Sequence, residues 1–393
     1  MADGFTILVR HGANGAEIAL LNGRGLLEYY REPLSAGSAV GNLYAGKVER
    51  VLKDVGAAFV DIGFAQNGFL PLRESDSFHR AMGDAPLVTG QSALVQVKKD
   101  AKGGKGAFLT RDIALPGQYL LLMPLNRFIG LSKRVTDEGD RARGRALGEK
   151  LAAGRFGVIV RHAALSARPA DVLEEAEELW QKWQKLSRWA DTRKPPALLY
   201  EEAGALAMLT RDYAARHALS VISDAPLEGA GEVLSPEAMD ALWREKRVEA
   251  ELSAALKRRV PIPGGGSLVI DEREALATVD VNSGERVMAS GEGSLALEEN
   301  LRAVEEIARQ LRLRNLSGVI LIDFIDMDAP HERDRVENAL REALADDRIK
   351  TVVHGFTRLG LMEITRRRTR DTLLNTLTMP CPACHETGRV RRE

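Results

Sequence analysis

Two aspartates each close a short apolar run: EALATVDVNSG ends its run at Asp280, and GVILIDFIDMD ends its run at Asp323. Between them Leu297, Leu301, Val304, Ala308 and Leu311 recur at helical spacing and form one apolar stripe. A strand, helix, strand unit has parallel strands joined by a right-handed crossover. The C-terminal ends of parallel strands form the edge at which open α/β sheets bind ligands, so Asp280 and Asp323 converge there. Two carboxylates at an apolar edge repel each other and are costly to desolvate. A hard divalent cation relieves both costs. Magnesium takes one or two carboxylates, waters and phosphate oxygens at about 2.0–2.1 Å. The pair therefore predicts magnesium-assisted chemistry on a phosphodiester, with Asn282 as a neutral donor and Asp326 in support. The competing reading is that each aspartate caps the turn after its strand, and for either one alone that reading is the stronger.

A second group lies near the end. Cys381 and Cys384, in CPACHETG, are the only cysteines of the chain. Their work is metal binding or redox, since two cysteines three apart form no disulfide framework. A tetrahedral zinc site takes four ligands, so one Cys-x-x-Cys supplies half of it. His385 adjoins Cys384 and would still leave a fourth ligand missing. A thioredoxin-like redox motif would follow a strand and open a helix, whereas this one follows a polar, threonine-rich stretch.

The chain that positions these groups has 393 residues, 45% hydrophobic and 28% charged, the balance of a globular protein with more than one core. A net charge of −1 excludes a uniformly basic nucleic-acid binder. Two basic stretches stand out, KKDAKGGKG (Lys98 to Gly106) and RRRTR (Arg366 to Arg370), and each taken alone reads as a solvated face. Asp3 stands where a signal peptide has basic residues, and no apolar run approaches the length of a membrane span. We expect a cytoplasmic chain without a membrane segment.

FTILVR, AEIALL and GLLEYY, around the Asn22-Gly23 turn pair, predict antiparallel strands. NLYAGKVERV, GAAFVDIG, GFLPL and SALVQVKK continue as short strands punctuated by glycine, the pattern of a small barrel of the OB type. Tyr44, Phe59 and Phe69 fall on these strands. Barrel core is the usual place for such rings. Phe59 and Phe69, on neighbouring strands beside a lysine-rich loop, fit instead the needs of single-stranded RNA or DNA, whose bases stack on rings and whose phosphates take counter-charge. GQYLLLMP and RFGVIVRHA then read as strands flanking a basic, glycine-rich stretch. Val172, Ala176, Leu179, Trp183 and Leu186 predict a helix opened by RPAD and closed before Lys194-Pro195-Pro196, with Trp180, Trp183 and Trp189 as packing residues. REKRVEAELSAALKRR reads as a further helix before PIPGGG, and the last compact unit runs from Val260 to Met379.

GNLYAGKVERV, GAAFVDIG, GFLPL, GGSLVIDEREALATVDVNSG, ARQLRLRNLSGVILIDFIDMD and CPAC, in this order and over nearly the whole chain, resemble the bacterial ribonuclease E/G family. The resemblance implies an α+β multidomain fold. An OB-type barrel (39–111) would be inserted into an RNase H-like domain (1–38 and 197–256), with a 5′-sensor region (112–196), a deoxyribonuclease-I-like catalytic domain (257–379) and a terminal zinc-link (380–393). It implies a magnesium-dependent endonuclease of single-stranded RNA, acting in RNA processing and decay, with a general preference for 5′-monophosphorylated substrates. By position, Asp280 and Asp323 match the magnesium ligands and Asn282 the residue acting beside them. Phe59, Phe69 and Lys105 match RNA contacts of the barrel, and Arg161 matches the arginine of the 5′-phosphate sensor. Lys350 matches a basic residue near that phosphate or the RNA path.

His162 stands where the family has the sensor threonine, which alters the phosphate pocket. A histidine there either donates to phosphate, more strongly when protonated, or is a tolerated polar replacement. The family's zinc-link joins two protomers, so Cys381 and Cys384, taken twice, imply one structural zinc and a homodimer. Glu386 replaces a glycine of that motif. Family members usually continue into a small dimerisation domain, whereas this sequence stops at Glu393. The link and its neighbouring surface are therefore expected to hold the dimer, with no scaffold tail for partner enzymes. The alternative function is a non-catalytic RNA-binding or assembly protein of the same fold. The intact acidic residues favour the enzyme.

Overall fold

The computed structural model describes residues 4–13, 15–33, 38–72, 86–101, 104–133, 135, 137–202, 204–214, 217–227, 230–283, 293–327, 329–379 and 381. The chain forms two compact units, one of Met1–Glu32 with Ala218–Glu393 and one of Pro33–His217. The first unit opens with β1 (Phe5–Gly12), β2 (Gly15–Asn22) and β3 (Gly25–Pro33). β1 and β2 pair antiparallel from Thr6 opposite Leu21 to Gly12 opposite Gly15. The turn into β3 falls at Asn22-Gly23 as expected, and the Asn22 side chain accepts from the Arg24 N–H at 2.9 Å, the local bond that suits asparagine to turns.

The second unit begins with β4 (Leu43–Leu52), β5 (Ala57–Asp61), β6 (Gly68–Pro71), β7 (Ser92–Lys99) and β8 (Phe108–Thr110). They run in the order β4-β5-β6-β8-β7, and β7 pairs back onto β4. This closed five-stranded barrel is consistent with the OB type. Val48, Val60, Leu70, Val95, Val97 and Leu109 fill it.

Beyond the barrel, β9 (Leu115–Pro116), β10 (Leu120–Met123), β11 (Ile129–Leu131) and β12 (Gly157–Val160) form a small sheet in the order β11-β12-β10-β9. Helices α1 (Glu138–Ala152) and α2 (Pro169–Thr192) pack on it. In α2, Val172, Ala176, Leu179, Trp183 and Leu186 are the buried residues, Pro169 sits in the first turn, and the helix stops ahead of Pro195. Helix α1 lies where the sequence reads as a basic, glycine-rich stretch. Its buried side is Gly144, Gly148, Leu151 and Ala152, so it lacks the large apolar stripe that marks a helix. The glycines allow close approach, since a Cβ at Gly144 would overlap the Leu131 side chain. β13 (Ala197–Tyr200) pairs with the start of β4, and α3 (Ala205–Tyr213) follows.

The chain then re-enters the first unit with β14 (Leu219–Ser223), parallel to β1, and β15 (Glu232–Val233). The segment around REKRVEAELSAALKRR divides into α4 (Pro236–Glu245) and α5 (Val248–Ala255), because Arg247 turns left-handed at φ +56°. The break lets Met239 and Trp243 of α4 join Val248, Leu252 and Ala255 of α5 in one core beneath Leu8, Ala19 and Tyr29.

The terminal sheet comprises β16 (Arg259–Pro261), β17 (Ser267–Glu272), β18 (Leu276–Asn282), β19 (Gly318–Asp323), β20 (Thr351–Phe356) and β21 (Met362–Arg366), in the order β16-β17-β18-β19-β21-β20. Helices α6 (Gly293–Leu313) and α7 (Pro330–Ala343) connect its later strands, and α8 (Leu373–Leu377) follows. β18, α6 and β19 form the expected unit with parallel strands. Leu297, Val304, Ala308 and Leu311 are buried in the shared core and Leu301 packs against it.

RRRTR is not the basic surface that its composition suggests. Arg366 is 3% exposed, with Nε 2.7 Å from the Asp347 carboxylate and Nη1 donating to Asn315 Oδ1 and the Leu316 carbonyl at 3.0 and 2.9 Å. Arg370 lies over the Tyr30 ring at 3.9 Å and donates to the Tyr29 carbonyl at 2.8 Å. Buried charges need such partners, and of the four arginines only Arg367 and Arg368 are exposed.

Candidate active site and nucleic-acid interface

Side chains alternate across a strand, and in β18 that alternation sends Ala277, Val279 and Val281 into the core with α6. Thr278, Asp280 and Asn282 therefore take the other face. Val319 and Val352 on that face are 38% and 37% exposed, so among the described residues it is open to solvent. Asp280 and Asp323 are partners in the parallel register of β18 and β19, and both are exposed, as is Asp326. Asn282 Nδ2 donates to Asp280 Oδ2 at 2.9 Å, fixing that carboxylate. Desolvation first, and then the charges of Asp280 and Asp326, push the Asp323 carboxyl above its ordinary range. A hard divalent cation would relieve that repulsion. Among the described residues no group of three or more His, Cys, Asp or Glu side chains is close enough to hold a metal by itself. Two exposed carboxylates offer hard oxygen donors, and magnesium takes one or two carboxylates with waters and phosphate oxygens.

The loop carrying Asp326 is held from α6. Asn300 is 0% exposed, its Nδ2 donates to the Ile325 carbonyl at 2.8 Å, and its Oδ1 accepts from the Ile325 N–H at 3.0 Å. This amide grips the backbone between Asp323 and Asp326. Its one sequence signal is a polar residue three after Leu297 and four before Val304, inside an apolar stripe, where it must find a partner.

On the barrel the rings divide. Tyr44 is buried in the core, whereas Phe59 and Phe69 alternate outward, paired in register with ring centroids 6.0 Å apart. Phe108 on β8 extends the row, opposite Phe69 with a centroid distance of 5.8 Å, and nothing in the sequence marks it. Lys105 is exposed. The next residue must be glycine, because a Cβ on Gly106 would overlap the Asn67 carbonyl oxygen. Lys102 and Gly103 of the same loop lie outside the described residues.

Arg161 follows β12 and precedes a single 3-10 turn that begins at His162. Its Nη1 donates to the Gly117 carbonyl and its Nη2 pairs with Asp212, both at 2.6 Å, while His162 is exposed. Beside it the Glu175 carboxylate accepts from the N–H groups of Gln118, Tyr119 at 2.8 Å and Leu120 at 2.9 Å. Burial pushes the Glu175 carboxyl up despite these bonds. Lys350 is exposed just before β20, in the first unit, and its carbonyl accepts from the Arg367 N–H at 3.0 Å.

A sequence model of the ribonuclease E/G family matches residues 114–369. Ribonuclease G of Haemophilus influenzae is 36% identical over 99% of this chain and 84% of that protein. Ribonuclease G of Escherichia coli K12 is 36% identical over 98% and 84%. The chain belongs to the ribonuclease E/G family. Ribonuclease E of Haemophilus influenzae is 34% identical over 95% of this chain and 43% of its own length. The matched family region contains the Asp280–Asp323 pair, Asn300 and Arg161 with Asp212. Cys381 is exposed, and Cys384, His385 and Glu386 lie outside the described residues. No described helix is long and apolar enough to cross a membrane.

The raised pKa of Asp323 has a consequence for stability. A carboxyl whose folded pKa lies above its unfolded value costs stability when charged, at neutral pH, and that cost is relieved as pH falls through the folded pKa toward the unfolded one. In chelator at neutral pH, Asp323→Asn should therefore melt above the wild-type chain. Added magnesium should raise the wild-type midpoint and not that of the variant. Scanning fluorimetry reads both, and a variant that melts at or below wild type in chelator contradicts the electrostatic account.

Proposed function

We propose that this chain, an endoribonuclease of the ribonuclease E/G type, hydrolyses phosphodiester bonds of single-stranded RNA with magnesium at Asp280 and Asp323, in cytoplasmic RNA processing and decay. The observation that carries this reading is the in-register pairing of the two aspartates at the last paired position of the parallel strands β18 and β19. When bound, magnesium supplies Lewis acidity toward a phosphate oxygen and a water of lowered pKa. The chain supplies the rest. Asp280 and Asp323 offer hard oxygen donors, and Asn282 holds Asp280 by one N–H while its amide offers further groups to water or phosphate. Asn300 keeps the Asp326 loop in place. On the barrel, Phe59 and Phe69 stack bases and Lys105 answers a phosphate. Arg161 and His162 take the 5′-phosphate, and Lys350 meets the RNA backbone.

The test is cleavage of a single-stranded oligonucleotide carrying a 5′-monophosphate or a 5′-hydroxyl. Wild type should cut both, the monophosphate faster, and Asp280→Asn should be slower by about a hundredfold or more, the scale of metal-assisted charge stabilisation. Equal cutting by variant and wild type would remove the assignment. Tight, salt-dependent binding without metal-dependent cutting would identify a non-catalytic RNA-binding protein instead.

The cysteine pair belongs to the same proposal. Cys381 is exposed and with Cys384 gives two of the four thiolates that a closed zinc site requires, the other two coming from a second copy. Metal analysis with light scattering should find one zinc per two chains and monomers after chelation. A zinc-free dimer that survives chelation refutes the shared site.

A further inference from the structure

The row on the barrel is longer than two stacking rings require. Arg50 on β4 stands opposite Phe59 on β5, Phe59 opposite Phe69 on β6, Phe69 opposite Phe108 on β8, and Phe108 opposite Lys99 on β7. Residues directly opposite one another share a face of the sheet. Here that face is the outer one, because the barrel core is built from Val48, Val60, Leu70, Val97 and Leu109 and contains none of the three phenylalanines. The rings are half-buried, and Arg50 and Lys99 are exposed. Lys99 Nζ lies 5.6 Å from the centre of the Phe108 ring. The barrel thus presents a cation, three rings and a cation in one line.

We propose that Phe108 and Lys99 form a third base-stacking subsite, so that this face holds three consecutive bases of single-stranded RNA with Arg50 and Lys99 meeting phosphates at its ends. The inference rests on the reading of the barrel as an RNA-binding face and goes beyond the two rings and Lys105 assigned to it above. Phenylalanine has no hydrogen-bonding group, so the row recognises flat base faces and tolerates any sequence. An acidic peptide would answer the cations and leave the rings unmatched. An apolar peptide would cover the rings and leave the cations unmatched. A nucleic-acid strand answers both.

The test is binding of a fluorescently labelled oligouridine to the full chain, without added magnesium, read by anisotropy. Phe108→Ala should weaken binding about tenfold, within the range of one stacked base. Phe108→Leu, which keeps apolar bulk, should weaken it as well, and Phe108→Trp should bind at least as tightly as wild type. Replacing the stacked base by an abasic unit should cost wild type a similar factor and Phe108→Ala nothing further. Lys99→Ala should reduce the slope of log K against log salt by about 0.7, one phosphate contact on a single strand. Wild-type binding by both Phe108→Ala and Phe108→Leu, with loss in Phe59→Ala, would overturn the third subsite and leave the barrel reading standing. No loss in Phe59→Ala or Phe69→Ala either would overturn both.

Discussion

The parallel pairing of β18 with β19 is the constraint from which the chemistry follows. The connection through α6 returns the chain parallel to β18, and the register sets Asp280 beside Asp323 at their last paired position. The arrangement is unfavourable by itself, since partial desolvation and the charges of Asp280 and Asp326 act against ionisation of Asp323. The surroundings hold it in place. Asn282 ties down one carboxylate, and Asn300 clamps the backbone that leads from Asp323 to Asp326. The apolar contacts of Val279, Val281, Ile320 and Ile322 with α6 residues stabilise the sheet beneath. Packing energy on one face thus keeps like charges together on the other, an arrangement that a bound cation would relieve.

The barrel applies a different rule to the same end. Its strands alternate, so each outward phenylalanine has an inward neighbour, Val60 beside Phe59, Leu70 beside Phe69 and Leu109 beside Phe108. Closure of β7 onto β4 fills the interior, and the rings are left for the surface. Gly106 lets the chain next to Lys105 lie against Asn67 and Gly68 at the start of β6.

Much of this was legible in residue order. The α2 stripe from Val172 to Leu186, the α6 stripe, the turn at Asn22-Gly23 and the strand end at Asp323 are local signals, and local signals are what a sequence displays. The strand expected to close at Asp280 instead runs on to Asn282, which pairs with Ser267 of β17. What stayed hidden depends on contacts distant in the chain. Helix α1 buries glycines and so shows no apolar stripe. Arg366 reads as surface charge until Asp347 and Asn315 meet it. Asp212 and Glu175, which engage Arg161 and the backbone beside it, lie far from it in sequence. The outward setting of Phe108 follows from barrel register, which composition does not reveal.

The central claim is that Asp280 and Asp323 make one cation site. Electron paramagnetic resonance of Mn2+, a paramagnetic substitute for magnesium, measures this directly in the presence of a single-stranded oligonucleotide. The account predicts one bound ion in the wild-type chain and its loss in both Asp280→Asn and Asp323→Asn, with oligonucleotide binding retained. Undiminished Mn2+ binding in either variant would contradict it.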